Sequence, residues 1–145
     1  MQKNSIGFEE QHHEPVFTSE EAAKVRGTKL RQGAKALIFK ADSDYILTVV
    51  SAENEVDELK LKTLVGAKHI TLAKPDEVEK VTGLQIGSVP PIASVLGLKL
   101  YVDNSLSKNQ VIAFNAGSHT DSIKMGYGDY KRLEKPVMGE FAKGK

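Results

Sequence analysis

The sequence predicts a single α+β domain built on a mixed sheet. Short alternating apolar runs indicate strands, and several segments bounded by capping residues and glycine stops indicate helices. Some strand candidates follow one another directly while others are separated by helices, which is typical of a mixed sheet. The 145 residues are 40% hydrophobic, enough for one domain with its own core. We expect about six or seven strands and about four short helices.

Composition excludes several classes of chemistry. The chain has no cysteine, so disulfides, zinc–thiolate sites and a cysteine nucleophile are excluded. It shows neither a secretory leader nor an apolar run long enough to span a membrane, which predicts a cytoplasmic protein without membrane contact. The formal net charge of +1 neither supports nor excludes an RNA partner.

The first third of the chain predicts an arm, a helix and a hairpin. Residues 1–14 are polar and without period, so we expect a loosely held arm. Thr18 and Glu21 have the spacing of a capping box, and Gly27 ends the helix that follows. The runs 34–41 and 45–50 predict two paired strands.

A lysine lies within the first strand of this hairpin. Alternation places Lys35 on the same face as Leu37 and Phe39. If that face is buried, the ammonium needs a partner or a path to water along its own stem. On the strand pattern alone, a strand-end lysine that reaches solvent is preferred to a functional one.

The remaining elements follow from periodicity and stop signals. We expect residues after Glu134 to fray. The predicted helices are 56–66, 75–83 and 127–133, and the predicted strands are 69–72, 98–102, 111–114 and 122–125.

Two loops could present main-chain N–H groups to a ligand. The first loop is Gly87-Ser88-Val89-Pro90-Pro91. Its glycine can adopt φ values that other residues rarely adopt, and its prolines restrict the backbone conformation. On its own this segment fits an ordinary turn better than a ligand-binding loop. The second loop is the small polar segment 115–120.

No protein nucleophile stands out. Ser88, Ser118, His119 and Asp103 could contribute to a Ser-His-Asp site, but there is no Gly-x-Ser-x-Gly elbow, and capping is the expected role of Asp103. No histidine pair has metal-ligand spacing, and Gly-rich nucleotide motifs are absent. What remains is a strand lysine and two loops suited to positioning and charge stabilisation.

From about Pro15 to Leu133 the sequence resembles the YbaK/ProX family of trans-editing aminoacyl-tRNA deacylases, related to the insertion domain of bacterial prolyl-tRNA synthetase. The segments that carry the resemblance are VFTSEEAAKVRG, GAKALIF, LVGAKHITLAKPDEVEKVTGLQIGSVPPI, LYVDNSL and VIAFNAGSHTDSIKM. The resemblance implies a mostly antiparallel sheet or partial barrel with short surrounding helices over residues 15–133. Residues 1–14 and 134–145 would then be a flexible arm and a flexible tail.

The resemblance also implies an activity and a site. The activity is hydrolysis of the ester between a small amino acid and the 3′ end of a mischarged tRNA, with tRNA-Pro as one candidate and no metal or other cofactor. An aminoacyl-tRNA synthetase is a further candidate partner, and the protein would be a monomer or homodimer. The family's strand lysine and Gly-x-x-x-Pro loop fall on Lys35 and Gly87 as catalytic residues. The implied substrate-binding residues are Phe17, Thr18, Ser88, Val89, Pro91, Asn115, Ala116, Gly117 and Ser118.

Two departures from the family pattern leave the substrate open. Ile92-Ala93 stands where many relatives have a glycine, and Asn115 stands where one branch has serine. Small pocket changes redirect specificity, since one methylene is worth only about 1–3 kcal/mol. The amino acid removed could therefore be alanine, cysteine, serine or threonine. Two other functions also stay open: a non-catalytic module that binds a tRNA end, a nucleotide or a protein, and a serine hydrolase.

Overall fold

The computed structural model describes residues 8–16, 18–85 and 87–144. The strands in this part of the chain are β1 (Phe8–His12), β2 (Ala34–Ala41), β3 (Asp44–Ser51), β4 (Asn54–Val56), β5 (Ile70–Leu72), β6 (Lys99–Asp103), β7 (Val111–Asn115), β8 (Asp121–Gly126), β9 (Val137–Gly139) and β10 (Ala142–Gly144). The α-helices are α1 (Ser19–Arg26), α2 (Glu58–Val65), α3 (Pro75–Thr82), α4 (Ala93–Leu96) and α5 (Tyr127–Glu134). Short 3-10 helices cover Leu30–Gln32 and Asn104–Lys108.

The strands form three sheets. One has five strands in the order β5-β2-β3-β6-β9, a second has the order β1-β8-β7, and β10 pairs with β4. Only the β3–β6 and β6–β9 pairings in these sheets are parallel. A parallel bridge between Gly33 and Ala113 joins the start of β2 to β7. The predicted α+β class with mixed, mostly antiparallel pairing is confirmed, although the strands are more numerous than expected and divided among three sheets.

The five-stranded sheet lies between two apolar layers. Alternation along β2 sends Ile38 into one cluster, which includes Phe114 and Tyr130, and Phe39 into the other, which includes Phe141. Burial on both faces is what a central sheet in a layered α+β domain requires. None of the helices in the described ranges is long and apolar enough to cross a lipid bilayer.

Near both ends of the described chain, the structure has strands where the sequence predicted loose segments. Phe8–His12, expected within a loose arm, pairs antiparallel with β8, with Phe8 opposite Met125. Residues 134–145, expected to fray, contain β9 and β10, and the Phe141 side chain between them is fully buried. The Asp103 carboxylate accepts hydrogen bonds from the N–H groups of Phe141 and Ala142, and this fixes the C-terminal segment against the sheet.

Local signals set most boundaries as predicted. The Thr18–Glu21 capping box is formed, and Gly27 ends α1 in the left-handed region. The predicted helix 56–66 begins later, at Glu58, because the Asp57 side chain caps it and Val56 belongs to β4. The sequence did not indicate α4, which has only four residues.

Candidate active site

A cavity of about 210 Å³ lies along the edge of β2 that faces away from β3. Four consecutive residues, Ala34–Leu37, line it, so it borders the edge of the strand rather than one face. Ala73 N donates to Ile38 O, 3.0 Å away, on the side opposite β3. Since alternate residues of a strand point their main-chain groups the same way, those of Ala36 face the cavity. The gap lies between the Gly33 bridge to β7 and the pairing with β5.

Several sequence-predicted site residues meet at this cavity. Thr18 from the start of α1, Lys35 from β2, Gly87 and Val89 from the loop, and Asn115 from the end of β7 all line it. The lining contains the cations Lys35 and Arg26 and, within the described residues, no carboxylate. The cavity is therefore electropositive.

Lys35 has the partner that its half-buried position requires. Its Nζ donates to the carbonyl oxygen of Asn54, 2.6 Å away, at the start of β4. A buried ammonium is costly without such an acceptor. The ammonium is therefore fixed by a protein acceptor, and the alternative of a side chain that simply reaches water is not needed.

The 87–91 loop is held by hydrogen bonds from two directions. Asn115 Nδ2 donates to Gly87 O at 2.6 Å, and Gly117 N donates to Ser88 O at 3.0 Å. At the far end, the Tyr130 hydroxyl donates to Pro91 O at 2.6 Å. The two loops identified in the sequence thus form one rigid wall.

Glycine is required at the start of this wall. Gly87 has φ of +86°, and a Cβ there would lie 3.3 Å from His119 Nε2. One main-chain N–H group of this loop is not available to a ligand, because Ser88 N donates to Gln85 O within the turn. Gly87 and Val89 nevertheless share the cavity with Lys35, as predicted.

Arg26 is the cavity residue that the sequence analysis missed. It ends α1 and is only 7% exposed. Its Nε donates to Ser122 Oγ and its Nη2 to Asn115 Oδ1, each at 2.9 Å. Burial lowers its pKa to about 10, which leaves it a cation at neutral pH. The helical spacing that puts Arg26 on the same face as buried Ala22 could have indicated it.

Other predicted site residues do not line the cavity. Ser88, Pro91, Ala116, Gly117 and Ser118 are not among its lining residues, although Ser88, Pro91 and Gly117 hold the wall. Phe17 lies outside the described residues. The roles of all these residues remain predictions.

The serine hydrolase alternative finds no support in the hydrogen bonding of its candidates. The Ser88 hydroxyl donates to Gln85 O, and the Ser118 hydroxyl donates to Asp121 Oδ2. Asp103 caps the Asn104–Lys108 turn, as expected, and also holds the C-terminal segment. Within the described ranges, no three His, Asp or Glu side chains converge as metal ligands.

The two departures from the family pattern differ in position. Ile92 and Ala93 are buried in the larger core cluster, where Ala93 begins α4, and they do not line the cavity. Asn115 lines the cavity and bonds to both Arg26 and Gly87. Asn115 is therefore the departure that bears on the pocket.

Comparison with known proteins places the chain in a family. Residues 13–133 match the model of the aminoacyl-tRNA editing domain. The multifunctional Ser/Thr-tRNA deacylase ProXp-y of Escherichia coli (strain K12) is 35% identical over 134 residues, which cover 89% of this chain and 80% of that protein. The proline–tRNA ligase of Staphylococcus aureus (strain Newman) is 32% identical over 126 residues, 80% of this chain but 22% of the ligase.

A solved structure agrees with these matches. A protein provisionally assigned as a trans-editing enzyme for prolyl-tRNA synthetase superposes with a TM-score of 0.86 at 26% identity, covering 94% of this chain and 87% of its own. The resemblance seen in the sequence is thereby confirmed. The chain belongs to the aminoacyl-tRNA editing domain family.

Proposed function

We propose that this protein hydrolyses the ester that joins a wrongly attached amino acid to the 3′ end of a tRNA. The observation that carries the proposal is the electropositive cavity in which Lys35, the Gly87 loop and Asn115 meet, in a chain of the editing family. The enzyme is then a hydrolase of the aminoacyl-tRNA ester bond, and its place is the cytoplasm, where charged tRNA is found.

The cavity is suited to stabilising charge rather than to supplying a nucleophile. Its described lining contains no serine, histidine or carboxylate side chain, and the Thr18 hydroxyl accepts a hydrogen bond from Glu21 N as the cap of α1. Water then attacks the ester carbonyl carbon, the carbon–oxygen bond to the ribose breaks, and the ribose hydroxyl leaves with a proton. Fixed donors around the carbonyl lower the energy of the oxyanion formed on the way.

The size of the cavity favours a small amino acid. About 210 Å³ is below the range of about 300–1,000 Å³ usual for ligand pockets, and alanine side chains form much of the wall. A tRNA-Pro substrate and a synthetase partner fit this function, and we expect a monomer or homodimer, which sedimentation would establish.

Release of amino acid from a panel of tRNAs mischarged with alanine, cysteine, serine or threonine tests the function. Lys35→Met keeps the apolar stem and removes the charge, so we expect kcat/KM to fall by about 100-fold or more. Lys40→Met is the matched control, because Lys40 lies on the same strand, is exposed and is not a cavity residue. Tight tRNA binding with every ester left intact would instead indicate a binding module, and a fully active Lys35→Met would remove the lysine from the mechanism.

A further inference from the structure

The cavity has an inner end formed by small, buried residues around one guanidinium. Ala22, Gly33, Ala34 and Ala52 line it and are buried, and Arg26 lies among them. A Cβ on Gly33 would lie 2.9 Å from Ala52 Cβ, so the packing there is already tight. The group of a ligand that enters furthest is therefore the one that meets Arg26.

The guanidinium is held rigidly while part of it remains unused. Ser122 and Asn115 occupy Nε and Nη2, whereas Nη1 has no hydrogen-bond partner among the described residues. Nη1 lies 3.9 Å from the position of a Cβ on Gly33, which is a cavity residue. In the described part of the chain no carboxylate lies within ion-pair distance of Arg26. The guanidinium of Arg26 thus presents N–H donors to the cavity that no acceptor among the described residues uses.

Resting on the function proposed above, we propose that Arg26 recognises the side chain of the amino acid through Nη1, and that the inner end selects small side chains carrying an oxygen acceptor. A hydroxyl supplies the lone pairs that Nη1 lacks, whereas a methyl group excludes water and leaves the donors unpaired. The α-ammonium of the substrate is repelled by the guanidinium, so the side chain is the group that enters.

This recognition predicts a measurable preference. Sites built to hydrogen-bond a ligand group discriminate strongly against analogues that lack it. We expect the serine ligand to bind about tenfold or more tightly than the alanine ligand, and threonine to be preferred over valine in the same sense.

Binding of uncleavable analogues tests the proposal separately from turnover. The probes are 3′-amino-3′-deoxyadenosine carrying serine or alanine in amide linkage, titrated by calorimetry into the full chain. For the wild type we expect the seryl probe to bind about tenfold more tightly. In Arg26→Met the two affinities should become equal, with alanyl binding retained as proof that the cavity is intact.

Each outcome bears on the inference. Equal affinities in the wild type overturn it, whatever any variant does, and so does an Arg26→Met protein that keeps the seryl preference. Hydrolysis of all small esters alike, together with equal probe binding, would leave the proposed function standing and remove the role of Arg26. A seryl preference without hydrolysis of any ester would support the recognition and count against the enzyme.

Discussion

The side-chain amide of Asn115 joins two parts of the site, and one substitution separates them. Its oxygen accepts from Arg26 Nη2 and its nitrogen donates to Gly87 O. Asn115→Asp keeps an acceptor for Arg26 but replaces the donor to Gly87 with a carboxylate oxygen. We therefore expect the loop to move away from Asn115 while the Arg26 contact persists.

The two halves of the amide have different expected magnitudes. Losing the hydrogen bond to Gly87 removes about 0.5–1.5 kcal/mol of support from the loop. A displacement of about 1 Å in a positioning element can lower a rate about 100-fold, so kcat/KM should fall by about 10- to 100-fold. Asn115→Ala loses both bonds, one of them to a cation, and should lower the free energy of unfolding by about 2–4 kcal/mol.

Three measurements on the same proteins check this prediction. They are kcat/KM on one mischarged tRNA, urea unfolding, and amide hydrogen exchange at Val89. Asn115→Asp should be more stable than Asn115→Ala, yet show faster exchange and lower kcat/KM than the wild type. Wild-type kcat/KM and exchange in Asn115→Asp would refute the view that this amide holds the loop.

Three further predictions concern the supports around the site. Tyr130→Phe removes the donor to Pro91 O and should cost about 1–2 kcal/mol in urea unfolding, with kcat/KM reduced; an unchanged protein would show that the loop is held elsewhere. Phe141→Ala should cost about 3–5 kcal/mol, whereas a truly loose tail would tolerate it without loss. Hydrogen bonds from His12 and then Ser118 lower the pKa of Asp121, so its contribution to stability is complete above about pH 4 and is lost as the pH falls through the lower folded-state pKa. Below about pH 4, melting temperatures should therefore fall less steeply in Asp121→Asn than in the wild type.

Elements with complete local signals were predictable from the sequence. The Thr18 capping box and the Gly27 stop define α1, and the strand predicted at 34–41 is formed over those residues. Capping and alternation depend on neighbours a few residues away, which a single sequence displays. The short strands at the chain ends depend instead on distant partners. Phe8–His12 has no apolar alternation, and its pairing with β8 spans most of the chain.

The site residues also fall into those that the sequence predicted and one that it did not. Lys35, Gly87 and Asn115 were predicted as site residues through the family resemblance, and the structure places them at one cavity. Arg26 was missed because a cation in the last turn of a helix normally faces solvent. Its burial is made possible by Asn115 and Ser122, which are about ninety residues further along the chain, so no local pattern reveals them.

The main-chain wall of the cavity has an evolutionary consequence. Ala36, on the edge of β2 away from β3, offers its peptide groups to the cavity, and Gly87 and Val89 also line it. Peptide groups persist whichever codon is present, so mutation at position 36 reshapes the space without deleting its donor or acceptor. Amino-acid preference in this scaffold can therefore drift through side chains such as Asn115, while the capacity to hold a polar ligand is inherited with the backbone.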